Sequence, residues 1–126
     1  MPVTVIILVV LLISCKKDET IYQAHFWTTQ DTATVKMDIY INDVKKGPVQ
    51  FLPVTPEYCE DSAFKTLTAI PLKTGPYIFK AMDQKGNTRF SGNIEIMKGG
   101  SVIVKDIHGR INICSIDNNL FFGISD

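Results

Sequence analysis

Residues 34–42 read TVKMDIYIN, and their period of two decides the fold. Val35, Met37, Ile39 and Ile41 fall on one side of an extended chain, and Lys36, Asp38, Tyr40 and Asn42 on the other. Side chains alternate across a strand, so this stretch is a half-buried β-strand with one face on a core. A helix would need apolar residues three and four apart, and that pattern is absent here.

The same period runs outward from this strand. Asn42-Asp43 and Lys46-Gly47-Pro48 supply turn chemistry, and residues 49–54 restart as a short strand. Pro48 and Pro53 lack the ladder N–H, which places that strand at a sheet edge. Residues 55–62 (TPEYCEDS) form a polar loop, and 64–72 the next extended segment. Gly75-Pro76 marks a turn, and 77–83 alternates with Tyr77, Phe79 and Ala81 on one side. Gln84-Lys85-Gly86-Asn87 reads as a hairpin turn, with Gly86 free to take positive φ. Residues 88–97 put Phe90, Ile94 and Ile96 inward. Gly99-Gly100 turns the chain into 101–107, His108-Gly109 into 110–116, and Asp117-Asn118-Asn119 into 120–124. About eight short strands at 8–12-residue spacing, without an amphipathic helix, predict an all-β antiparallel sandwich. Phe121-Phe122 either closes that sandwich or forms an exposed sticky edge.

The chain has 126 residues, enough for one domain, with 13 basic and 13 acidic side chains. Zero net charge gives no basic face for nucleic acid. An apolar content of 45% excludes disorder throughout. That average hides a split, because residues 1–14 (MPVTVIILVVLLIS) are almost wholly apolar and carry no charge. The unbroken apolar run 5–13 is too short to span a bilayer, which takes about 20 residues, and fits a signal-peptide core.

Leu12-Ile13-Ser14-Cys15 resembles the bacterial lipobox. The resemblance implies that Cys15 is acylated with diacylglyceryl, becomes the mature N-terminus after cleavage, and is then N-acylated. Several acyl chains anchor stably where one is marginal. Lys16-Lys17-Asp18-Glu19 resembles the charged stretch that follows the cysteine in many Bacteroidota lipoproteins and accompanies export to the outer face of the outer membrane. It would serve equally as a polar tether on a periplasm-facing protein. The expected organisation is therefore a signal peptide at 1–14, a lipidated cysteine and tether at 15–20, and a β-sandwich at 21–126.

The stretch 72–92, with Leu72, Gly75, Tyr77, the Gly86 turn and Phe90-Ser91-Gly92, carries a second resemblance, and Val35 to Gly47 fits the same pattern. It is similar to small β-sandwich domains of Bacteroidota lipoproteins of the transthyretin-like, carboxypeptidase-regulatory-like and PEGA types. That implies a fold and leaves activity open.

With Cys15 acylated, Cys59 and Cys114 remain, an even number in an oxidising compartment. Two readings stand: a disulfide, or two unpaired thiols with one or both buried. In the family resembled, the partner cysteine often follows the Gly-Gly turn, where this chain has Ser101.

Chemistry-bearing patterns are sparse. His25 and His108 have no metal spacing, and no phosphate loop or nucleophile elbow occurs. Glu57, Glu60 and Asp61 around Cys59, and Asp117-Asn118-Asn119, offer oxygen donors without the spacing of a calcium loop. No catalytic residue, metal or cofactor is therefore assigned. Among the aromatics, Tyr40 and Trp27 are candidates for stacking against a sugar or a partner loop. The alternative is that Trp27 packs in a core while Tyr40 covers a sheet face. The expected function is non-enzymatic: a lipid-anchored envelope protein acting in binding or assembly at the outer membrane, or else a glycan- or ligand-binding surface module. Expected partners are the membrane, through the lipid anchor, and an envelope protein or glycan.

Overall fold

In the computed structural model, which describes residues 20–29, 36–53, 55, 56, 59 and 62–126, the chain is all-β, with two five-stranded sheets. The strands in chain order are β1 (Ile21–Thr28), β2 (Met37–Ile41), β3 (Val44–Pro48), β4 (Gln50–Phe51), β5 (Ile70–Lys73), β6 (Gly75–Asp83), β7 (Thr88–Ile96), β8 (Val102–His108), β9 (Arg110–Ile116) and β10 (Asn119–Ser125). The first sheet runs β4-β1-β10-β9, with β5 also paired to β1; the second runs β3-β2-β6-β7-β8. Pairing is mostly antiparallel, but β1 lies parallel to both β10 and β4. The expected sandwich is present.

The alternation read at 34–42 holds where the chain is described. Met37, Ile39 and Ile41 are buried, whereas Asp38 and Tyr40 lie half-buried on the other face; Val35 lies outside the described residues. Opposite them the first sheet contributes Tyr22, Ala24 and Phe26 from β1 and Leu120, Phe122 and Ile124 from β10. Phe26, Phe79 and Phe122 meet at the centre. Phe79 stands edge-on to the other two at 5.1 and 5.3 Å, the arrangement that ring quadrupoles favour. Each such side chain contributes about 1.5–3 kcal/mol through burial. Phe121-Phe122 does not form an edge: β10 lies between β1 and β9, and both rings are buried.

Three stretches of the chain, 42–54, 64–72 and 75–76, depart from expectation. Asn42 and Asp43 both have positive φ (51° and 65°), which makes a two-residue hairpin, so the chain re-enters a strand at Val44 rather than turning again at Lys46-Gly47-Pro48. The strand expected at 49–54 shrinks to Gln50–Phe51, because Val49 crosses from one sheet to the other through the core, its N–H donating to the Met37 carbonyl. The proline-bearing segments do lie at edges, β3 in one sheet and β4 in the other.

The second correction concerns 64–72. Ser62–Thr66 is a 3₁₀ helix and only Ile70–Lys73 is extended. Phe64 and Leu67 are both buried in one cluster, and one turn of three residues brings them to the same side. The Leu67 N–H donates to the Phe64 carbonyl, and the Thr66 hydroxyl to that of Ala63.

The third is that Gly75-Pro76 opens a strand instead of a turn. Pro76 pairs with Glu95 of β7 at a point where β2, whose register on β6 starts at Ile41–Phe79, has already ended, so its missing N–H leaves no ladder bond unmade. The turn at Gly86 (φ 84°) is as expected, and His108 closes β8.

Candidate functional site

β1 is buried on both faces along its second half, from Ala24 to Thr28. Its inward face builds the sandwich core, and its outward face carries His25 and Trp27. Phe64 and Leu67 lie against both of them, and Leu52 joins the packing around Trp27. Trp27, Leu52, Phe64, Leu67 and Phe121 form a second, smaller core there, outside the first sheet. The order of the strands explains the cluster. His25 is in register with Phe121 and Trp27 with Gly123, so the β1 and β10 side chains lie side by side on one face.

A disulfide between Cys59 and Cys114 borders this small core. Cys114 stands in β9 opposite Phe121, and its Cα is 5.6 Å from that of Cys59. Of the two readings of these cysteines, the structure holds the bridge. The partner therefore lies in β9 rather than after the Gly99-Gly100 turn.

The rings are ordered. His25 stacks on Phe121 with centroids 4.7 Å apart, Phe64 stacks on Phe121 at 4.3 Å, and Trp27 tilts toward Phe64 at 6.0 Å. His25 Nε2–H donates to Asn119 Oδ1 at 3.1 Å, while His25 Nδ1 and Trp27 Nε1 are buried without a hydrogen-bond partner. Phe64 borders two hollows that open to solvent. One, of about 240 Å³, is lined by His25, Cys59, Lys65 and Asn119; the other, of about 190 Å³, by Trp27, Thr55, Asn112 and Cys114. Phe64 and Phe121 line both.

Tyr40 and Trp27 do not share a platform. Trp27 is 5% exposed in the small core on the first sheet, whereas Tyr40 is half-buried on the outer face of the second, flanked in register by Lys45 and Lys80. The packing alternative therefore describes Trp27. His108 is exposed, far in sequence and register from His25. Among the described residues no three His, Cys, Asp or Glu side chains come together as a metal would require. Glu57, Glu60 and Asp61 lie outside the described residues, as does Cys15, and Asp117 sits exposed at a positive-φ turn (53°). No helix among the described residues is long and apolar enough to cross a membrane.

Sequence reasoning missed the residues packed on His25 and Trp27. Phe64 and Leu67 carry a faint signal in their spacing of three, beside a cysteine. Asn119, 94 residues from His25, carries none. Compared with protein families, with curated proteins and with solved structures, the chain matches none.

Proposed function

We propose that the protein is a lipid-anchored lipoprotein of the cell envelope, attached to the outer membrane through Cys15 and acting non-enzymatically in binding or assembly. The observation that carries this reading is the Cys59–Cys114 bond. It uses two of the three cysteines, leaves Cys15 as the remaining thiol, and belongs to the oxidising compartments in which disulfides persist. Cys15 ends the apolar run 5–13, and β1 begins at Ile21, so a short charged tether would join the lipid directly to an interior strand of the sandwich. The similarity to transthyretin-like lipoprotein domains is part of the same reading. Cys15→Ala tests it: the variant is expected to leave the membrane fraction, and retention there would defeat the anchor. Protease shaving of intact cells then distinguishes the outer face, where the domain is cleaved, from the periplasmic face, where it is protected.

A further inference from the structure

Among the described residues, every sheet edge but one carries a feature that discourages pairing with another chain. β3 holds Lys45, Lys46 and Pro48 and shifts register against β2. β8 holds Lys105 and loses register against β7 before His108, where Asp106 has a φ of 52°. β4 has two residues, and β5 has four that include Pro71 and Lys73. β9 is different. It runs from Arg110 to Ile116 in unbroken register with β10, no strand lies beyond it, and residues 111–116 (INICSI) are uncharged. An edge that is long, regular and uncharged is a template for a further strand.

The hydrogen-bond phase fixes what this edge offers. The Gln23 N–H donates to the Asn118 carbonyl, so by alternation the even-numbered residues of β10 turn their backbone groups to β1 and the odd-numbered ones to β9. Asn119, Phe121, Gly123 and Ser125 are therefore bonded to their register partners Ile116, Cys114, Asn112 and Arg110. That leaves Ile111, Ile113 and Ser115 with N–H and C=O groups directed away from the sheet. Cys114 sends its side chain to Cys59 from the outer face, on the side of the small core, and not along this edge. Ile113 stands beside the buried Phe122 on the inner face and is nevertheless 38% exposed.

We infer that β9 is the interface of a symmetric dimer, pairing antiparallel with β9 of a second copy about an axis at Ile113. This goes beyond the anchor reading and does not depend on it. Charge selects the occupant and its direction. Arg110 and Asp117 bracket the strand at opposite ends, both exposed and neither in an ion pair among the described residues. Antiparallel self-pairing brings each Arg110 next to the other copy's Asp117, whereas a parallel pair would set like charges together. A two-fold axis perpendicular to the sheet makes the contact isologous and sets Ile113 opposite itself and Ile111 opposite Ser115. Those are the residues with free backbone groups, so each free N–H and C=O finds a partner. The exposed Ile113 side chain is covered by its own copy.

Sedimentation equilibrium of the full chain in mild detergent is expected to show a reversible monomer–dimer equilibrium. Arg110→Glu places like charges at both ends of the pair and should raise the dissociation constant about tenfold, and adding Asp117→Lys should restore it. Hydrogen exchange in the unmodified chain reads the register without a substitution. The Ile111, Ile113 and Ser115 amides should exchange fast in dilute solution and slowly at high concentration, while those of Asn112 and Cys114 stay slow at both. A chain that remains monomeric would overturn the inference, as would a dimer in which the three odd-numbered amides still exchange fast. So would association indifferent to Arg110→Glu, the behaviour expected if the acyl chains or the apolar run 5–13 held the copies together.

Discussion

Trp27 on β1 lies across Gly123 on β10, in the space that a Cβ on Gly123 would occupy. The two residues are register partners in a parallel pair, and the glycine lets the indole lie flat on the sheet. Gly123 has no positive φ, so its role is steric. Gly123→Ala drives a methyl into the ring and should destabilise the domain by about 1–3 kcal/mol, the range for overpacked sites. A domain of this size would lose about 4–8 °C of Tm for each kcal/mol. Trp27→Leu in the same chain should recover part of the loss, and a double-mutant cycle from denaturant unfolding would measure the coupling.

How much of this was legible in the sequence depends on which face is considered. Alternation along 37–41 and 77–96 reports a single buried face, and there the strands and the inward residues Met37, Ile39, Phe79, Phe90 and Ile94 follow from period two. β1 and β10 have no such period, because from Ala24 to Thr28 and from Leu120 to Ile124 both faces are covered. A continuous apolar run announces burial without saying by what. The small core that includes Trp27 was hidden for a different reason. Its residues come from four separated parts of the chain, and its helical turn is too short to set up a period. The cysteine count allowed the bridge but did not select it, since pairing depends on the Cα–Cα distance, which only the β9–β10 register supplies.

Tyr22 ties the two sheets together at one end. It is 3% exposed, and its hydroxyl accepts the Gly99 N–H at 3.0 Å, in the turn between β7 and β8 of the opposite sheet. Gly100, at φ 87°, rests against the same ring. Tyr22→Phe keeps the ring and leaves one amide without its partner, which should cost about 1 kcal/mol. Hydrogen exchange at the Gly99 amide should accelerate more than exchange in β6, whose ladder bonds Tyr22 does not touch.

Asp83 organises the β6–β7 hairpin. Its carboxylate accepts the backbone N–H groups of Asn87 and Lys85, both at 2.9 Å, and Arg89 Nε–H at 3.0 Å; Arg89 Nη1–H in turn reaches Asp126. The Asn87 backbone bond is the largest cause holding its pKa below the ordinary 3.8, and the bonds from Arg89 and Lys85 act in the same direction. A depressed carboxylate pKa stabilises the fold above the ordinary value, and that contribution is lost as pH falls through the depressed one. Asp83→Asn should therefore be less stable than the native chain at neutral pH. The difference should shrink on acidification below about pH 4. Parallel denaturant curves across that range would show it, and a constant gap would refute the linkage.

The Cys59–Cys114 bond closes a loop of 55 residues, β5 to β9, and ties the chain ahead of the 3₁₀ helix to β9 beside the small core, which makes that core conditional on it. On the chain-entropy model a loop of that length contributes about 4 kcal/mol, close to the whole stability of many small domains. The main core, centred on Phe26, Phe79 and Phe122, lies on the other side of the first sheet and is separate from the small one. Reduction, or Cys59→Ser with Cys114→Ser, should accordingly act first on the outer cluster. Trp27 emission should shift to the red as the indole meets water, at temperatures where the far-ultraviolet signal of the strands is still native. In a Cys15→Ala background, thiol titration of the denatured, unreduced chain should find no free sulfhydryl. Two free thiols there would mean that the small core is held by packing alone, and then Trp27 should not respond to reductant at all.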